Sequence, residues 1–302
     1  VTVTVAPEVA EALAAGGAVV ALESTIFSHL GLPSPHNESA LDRCIAAVRA
    51  GGAVPAVTAV LDGVPRVGLD PAEHERILGP ARKLGERDIP VAVAQRWAVG
   101  ATTVSASLFL AASAGVAVFA TGGIGGVHHG AAETGDVSAD LTALAAHPVL
   151  TVCAGAKSFL DLARTLEHLE TVGVPVLGLG TDRFPAFYAP ASPFPVQARV
   201  DSPEEAASVV LAQRALGRPG GVLLAVPLPA EHALTWDELE EARRIAEADA
   251  AAAGVRGAAV TPFVLARLAE VTEGRSIPAN LALAERNALV AAQAAVRLAA
   301  AG

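Results

Sequence analysis

The sequence predicts an α/β protein, a three-layer α/β/α arrangement around a mostly parallel mixed sheet, and three observations point to it. Short apolar runs bounded by Gly and Pro alternate with stretches of helical spacing, the pattern of repeated strand–helix–strand units. One pair of apolar runs is joined by Asp62-Gly63, a hairpin turn signal that adds an antiparallel contribution. The chain of 302 residues is 52% hydrophobic and 17% charged, enough to bury a sizeable core and far from the composition of disorder. No internal repeat or low-complexity linker divides it, so residues 1 to 302 read as one domain.

Taken in order, residues 7–15 have helical spacing and stop at Gly16-Gly17, ahead of an apolar strand at 18–22. That strand delivers Glu23, Ser24 and Thr25 at its carboxyl end, the edge where open parallel sheets bind ligands, and where a single carboxylate can instead serve as a helix cap or a salt-bridge partner. A Pro-rich loop follows, then a helix capped by Asn37 or Ser39 and ended by Gly51-Gly52. Residues 53–61 and 64–68 are the hairpin strands. A helix from Pro71 runs into a polar loop holding Lys83, and residues 91–95 read as a strand. Thr102, Thr103 and Ser105 then stand at the mouth of a helix, where free amides and hydroxyls make an anion site. A strand at 116–120 enters the densest stretch of the chain, FATGGIGGVHHGAAETGDVSADLTALAAHPVLTVCAGAKS.

Beyond it come a helix over 158–173, a strand over 174–180 and a long irregular segment whose length suggests a lid or an oligomer contact. A helix at 203–216, a strand near 220–229 and a charged helix started by Thr235 or Asp237 follow. The tail reads as a helix from Thr261, the loop EGRSIPAN and a final alanine-rich helix whose surface is compatible with association.

A net charge of -10 and a pI near 5.3 argue against nucleic-acid polymers and anionic membranes as partners, while a local positive pocket for a phosphorylated small molecule is allowed. The amino-terminal stretch reads as strand and helix rather than a signal peptide, and the apolar runs suit a core better than a membrane span. Cys44 and Cys153 match no metal or redox spacing and read as buried thiols in a reducing, cytoplasmic setting.

The chemistry concentrates in residues 119–158. Lys157 is one of only two lysines, the other cations being arginine, so an amine is kept where generic charge would not require one. An ε-amine can lose its proton when desolvated and attack a carbonyl, which a guanidinium does not do. Lys157 follows an apolar strand, as a Schiff-base lysine requires, and Glu23 at another strand end is placed to give and take protons. The run TGGIGGVHHG lacks the GxGxxG spacing of a dinucleotide fingerprint and serves as a substrate contact or as a tight turn. His128 and His129 are adjacent, so their side chains diverge. Asp136 and Asp140, with Ser138 between them, offer oxygen ligands for manganese or magnesium, or else a loop and a helix cap.

The segments ALEST, ATTVSAS, FATGGIGGVHHGAAETGDVSADL, VCAGAKS, GTDRFPAFY and SIPANLALAERNA resemble those of the pseudouridine-5′-phosphate glycosidase family, which includes proteins once labelled indigoidine synthase A. The resemblance spans nearly the whole chain. It implies a lyase, glycosidase by convention, that reversibly converts pseudouridine 5′-phosphate and water into uracil and ribose 5-phosphate. It further implies an opened ribose ring, a Schiff base between lysine and the anomeric carbon, a manganese cofactor (Mn2+, with Mg2+ as substitute) and a homotrimer. Carried over by motif, Lys157 matches the nucleophile, Glu23 the proton donor and Asp136 the metal ligand. Ser138, Ala139 and Asp140 match a substrate-binding run, Lys83 a substrate-binding lysine, and Thr103 and Val104 a substrate contact. Thr121, His128 and Asn280 match further pocket positions. Lys83 is followed by Leu-Gly-Glu-Arg-Asp where relatives carry Val-Ser-Arg-Arg-Asp, which bears on phosphate affinity. A Schiff-base aldolase acting on another phosphorylated sugar, and a non-catalytic sugar-phosphate binder, are the competing readings.

Overall fold

The computed structural model describes residues 2–255, 260–272 and 274–301. Its elements are β1 (Thr4–Val5), α1 (Pro7–Ala14), β2 (Val19–Leu22), α2 (His36–Ala50), β3 (Val54–Leu61), β4 (Val64–Val67), α3 (Pro71–Ile77), β5 (Arg82–Leu84), α4 (Ile89–Ala94), β6 (Val99–Thr102), α5 (Val104–Ser113) and β7 (Val118–Ala120). There follow β8 (Val127–His128), α6 (Ala131–Thr134), α7 (Ala139–Ala146), β9 (Leu150–Cys153), β10 (Leu160–Asp161), α8 (Leu162–Thr171), β11 (Val176–Leu179), β12 (Ala198–Val200), α9 (Pro203–Ala215), β13 (Val222–Ala225), α10 (Trp236–Ala252), α11 (Val260–Val271) and α12 (Ser276–Ala299).

Strands β3-β2-β7-β9-β13-β11-β12 lie side by side and parallel. The inner strands β2, β9 and β13 are buried at every residue, which is why they read as continuous apolar runs without alternation. The second half of β3 runs beyond β2 and pairs antiparallel with both β4 and β6, which makes the sheet mixed. The predicted hairpin is therefore present, with Asp62 and Gly63 both at positive φ in its turn. Parallel connections follow right-handed crossovers, so moving one way along the sheet uses one face and moving back uses the other. Helices α2, α9 and α12 pack together on one face, and α5 packs against α7 on the other. The order reverses between β2 and β7, and this switch point opens a crevice at their carboxyl ends.

Several local expectations change in three dimensions. Residues 91–95 belong largely to α4, not to a strand, and the strand of this region is β6. Lys83 sits in β5, a short strand parallel to β6, rather than in a loop. Asn37 does not cap α2, which starts at His36. The Asn37 side chain is buried and donates to the carbonyls of Phe27 (2.9 Å) and Leu78 (3.0 Å), tying the Pro-rich loop to the end of α3. Thr235 caps α10 through a reciprocal pair with Glu238. The SIPAN residues form the first turn of α12 instead of a loop. The alanines of α12 are mostly interior, not surface, because small side chains let this long helix lie against β2, β7 and β9. Cys44 and Cys153 are buried free thiols, and burial pushes each up to about 12. No described helix is long and apolar enough to cross a membrane.

The irregular segment after β11 is not a loose lid. Phe184, Ala186, Phe187, Tyr188 and Ala189 are all buried, and the Phe187 N–H donates to the Ala154 carbonyl at 2.9 Å. This wedge lies on Gly155, where φ is +83° and an added Cβ would stand 1.9 Å from the Pro185 carbonyl oxygen. Gly155→Ala should destabilise the protein by about 2–5 kcal/mol through strain and overpacking together. Gly115→Ala, at φ +78° with open space around it, should cost only the strain, about 1–2 kcal/mol. Urea denaturation of the two variants measures the difference, and equal losses would show that the wedge does not press on Gly155.

Candidate active site

Glu23 leaves the carboxyl end of β2, Thr121 that of β7, and Lys157 the loop after β9. The β7 and β9 loops are zipped together by backbone bonds, Ala154 N–H to Gly122 O (2.9 Å), Ile124 N–H to Gly155 O (3.1 Å) and Lys157 N–H to Ile124 O (3.0 Å). Parallel pairing thus continues past the strands and holds Lys157 on rigid backbone. The ribbon of β8 and β10 sets His128 opposite Leu160, just beyond Lys157. From the other side, β5 brings Lys83 along β6, and Leu84 O accepts from the Thr103 N–H (2.9 Å).

Glu23 is only 6% exposed. Desolvation raises its pKa above the ordinary value, opposed by the Lys157 ammonium and by the Thr121 hydroxyl, which donates to its Oε1. Asp140 and Lys83 act on the same carboxyl, with opposite signs. Lys83 has an exposed side chain, yet enough protein surrounds its ammonium that desolvation and then Lys157 lower its pKa. Burial likewise lowers His128, against the pull of the Asp136 carboxylate. Glu23, Lys83, His128, Asp136, Asp140 and Lys157 therefore share one electrostatic neighbourhood, although they lie on separate segments.

Asp140 is placed in a way the sequence does not disclose. Its carboxylate accepts from Ser105 N–H (3.0 Å) and Gly125 N–H (2.8 Å), clamping the start of α5 to the glycine loop. Ser138 caps α7, accepting from Asp140 N–H, and Ala139 begins that helix beside the glycine loop. Thr103 is the residue before α5, its hydroxyl 3.1 Å from that of Ser105, and Val104 is buried behind it. Asn280 on α12 donates to the Tyr188 hydroxyl at 3.4 Å. Asp136 is exposed, its carbonyl accepting from His128 N–H at 3.0 Å. Among the described residues no group of three or more His, Cys, Asp or Glu could hold a metal ion. The donor set at Asp136 therefore fits only a cation that keeps most of its water, as magnesium and manganese do.

Residues that sequence reasoning passed over also build the site. Asn287, buried on α12, donates to the carbonyls of Thr121 (2.8 Å) and Gly122 (3.3 Å). Its signal was a polar residue on the face of an alanine-rich helix that also carries Asn280. A hydroxyl cluster of Ser24, Thr58, Thr102 and Ser107 braces the backbone behind Glu23.

Fold and site together define a class: α/β proteins that set a lysine amine against a buried carboxyl at the switch point of a parallel sheet. The chain belongs to the indigoidine synthase A like protein family, whose model matches residues 8–297. It is 53% identical over 300 residues to the pseudouridine-5′-phosphate glycosidase of Chloroflexus aurantiacus, with 97% of this chain and 98% of that one covered. It is 47% identical over 299 residues to the protein of the same name from Arabidopsis thaliana, with 98% and 90% covered. Among solved structures, the prealnumycin C-glycosynthase in complex with ribulose 5-phosphate superposes with a TM-score of 0.92 at 36% identity, covering 99% of this chain and 98% of that one. An indigoidine synthase A-like protein from Thermotoga maritima gives a TM-score of 0.86 at 36% identity, with 94% of each chain covered.

The raised Glu23 value has a thermodynamic consequence. A carboxyl whose folded pKa exceeds its unfolded value contributes stability that is complete below the unfolded value and is lost as pH rises through the folded one. Glu23→Gln should therefore gain stability relative to the parent as pH rises above 4.5, by at most about 1.4 kcal/mol per unit, until Glu23 ionises in the folded protein. Denaturation curves of both proteins across that range test it, and a constant offset would mean that burial does not hold Glu23 protonated.

Proposed function

We propose that the protein reversibly cleaves the carbon–carbon glycosidic bond of pseudouridine 5′-phosphate, giving uracil and ribose 5-phosphate through a Schiff base on Lys157. The observation that carries this reading is the convergence of Lys157 and the buried Glu23, whose proton affinity burial raises, at the carboxyl ends of β2, β7 and β9. Support comes from relatives named for this reaction and from a structural neighbour named for C-glycosylic chemistry that binds ribulose 5-phosphate.

A carbon–carbon bond offers no heteroatom for ordinary leaving-group protonation, so the sugar must supply the driving force. The bond from the anomeric carbon to the ring oxygen breaks, that oxygen taking a proton and becoming a hydroxyl, and the Lys157 nitrogen bonds to the anomeric carbon in its place, giving up a proton. The bond from that carbon to uracil C5 then breaks, its electron pair going to C5, which takes a proton. A carboxyl whose proton affinity burial raises suits that donation, with Glu23 in the role. The sugar is left as a lysine iminium, and water returns ribose 5-phosphate and the free amine. Lys83 is the cation suited to the substrate phosphate, since the Asp140 carboxylate already holds the Ser105 N–H at the amino end of α5. A manganese or magnesium ion held at Asp136 through its water shell would supply positive charge beside a phosphorylated ligand. The reading includes a cytoplasmic homotrimer, in which association would cover exposed Leu289 and Val296 on one stripe of α12.

Borohydride reduction in the presence of ribose 5-phosphate should add the mass of the reduced sugar phosphate at Lys157, located by peptide mass spectrometry. No adduct with active enzyme, or an adduct elsewhere, would remove the Schiff base. Glu23→Gln should bind substrate but lose about 10²- to 10⁴-fold in kcat for uracil release. Chelation should abolish turnover and manganese restore it, with Asp136→Asn needing more manganese than the parent; an unchanged manganese requirement would remove Asp136 from the metal site.

A further inference from the structure

We propose that Asn287 is a positioning residue for the acid–base glutamate, holding the Thr121–Gly122 turn so that the Thr121 hydroxyl stays on the Glu23 carboxylate. The assignment rests on Glu23 being the proton donor of the reaction proposed above.

Asn287 is 1% exposed and lies on α12 among Leu283, Ala284, Ala288 and Ala291, all of them buried. Both of its amide-nitrogen contacts are backbone carbonyls, Thr121 at 2.8 Å and Gly122 at 3.3 Å, so the amide can face them only with its NH2 group. The opposite atom, Oδ1, is buried and has no hydrogen-bond partner among the described residues. Packing alone would favour an apolar side chain of similar size, which leaves no acceptor unpaired. What only the amide provides is the grip on the turn.

That turn has two outputs. Thr121 is held by its N–H to Val152 O (3.0 Å) and by its C=O to Asn287, and its hydroxyl then reaches Glu23. The neighbouring carbonyl, that of Gly122, accepts from Asn287 and also from Ala154 N–H (2.9 Å), the start of the loop that ends at Lys157. One side chain on α12 thus steadies the joint between the carboxyl and the amine. Lys157, Lys83 and Asp140 also act on Glu23.

The test compares the full-length parent with Asn287→Ala, Asn287→Leu, Thr121→Val and the Asn287→Ala/Thr121→Val double variant. Glu23 protonation is followed by infrared difference spectroscopy with carbon-13 glutamate and Glu23→Gln as the blank. A hydroxyl donating to a carboxylate favours the ionised form, so Thr121→Val should raise the proton affinity of Glu23 about tenfold. Asn287→Ala should move it the same way, and the double variant should move it no further than Thr121→Val. Asn287→Leu, which restores volume without the donor, should behave as Asn287→Ala and so separates the amide from packing. In uracil release, the Asn287 variants should lose kcat with KM changed less than twofold. An unmoved Glu23 titration, or additive shifts in the double variant, would overturn the proposal. The titration needs no turnover, so a parent protein that releases no uracil would defeat the functional reading while the coupling is still decided.

Discussion

A carboxyl group buried at the end of β2, with the Thr121 hydroxyl donating to it, is the constraint to which the surrounding structure answers. Burial disfavours the charged form, and a buried acceptor without a donor would be costly. The donor must come from another strand end, and β7 supplies it only if its loop is rigid. That rigidity comes from pairing with the β9 loop on one side and from the Asn287 amide on the other. The same pairing sets Lys157, so the geometry that gives Glu23 its hydrogen-bond donor also places the amine near it.

Close packing of backbone makes this possible. Gly122, Gly123 and Gly155 lie where Leu283, the Phe187 ring and the Pro185 carbonyl respectively leave little room for a Cβ. The buried segment from Phe184 to Ala189 presses on these loops, with Phe187 itself at a positive φ of 63°. A strained residue inside a buried wedge fits a preformed site wall better than a moving cover. On the opposite face of the sheet from α5 and α7, the alanines of α12 bring that helix near enough for Asn287 to reach the turn.

Charge is divided between surface and cleft. Arginines carry the ion pairs, among them Arg43–Glu285, Arg76–Asp62, Arg243–Glu247 and Arg267–Asp249, each of the partly exposed kind that contributes little. Neither lysine joins an ion pair among the described residues. Both ammonium groups act instead on Glu23, and Lys83 stands within the field of Asp140 and Asp136 as well.

The alternation of apolar runs and helical spacing determined the layered α/β fold, because fully buried parallel strands and their crossover helices leave distinct periods in a sequence. The arginine bias singled out Lys83 and Lys157, and the motifs named the family. Short segments were less legible: residues 91–95 are as apolar as a strand and fold as α4, since period alone cannot separate a brief buried helix from a strand. The buried wedge looked like a free loop because its aromatics have no regular period and find their partners on distant glycines. Asp136 and Asp140 look alike in the sequence, yet one carboxylate is exposed and the other is consumed by two backbone amides. Asn287 looked like one more polar residue in a helix. Its function, like that of Asp140, is a matter of which carbonyls and amides the fold brings within 3 Å or so of it, and hydrogen bonds between segments far apart in sequence have no local signature.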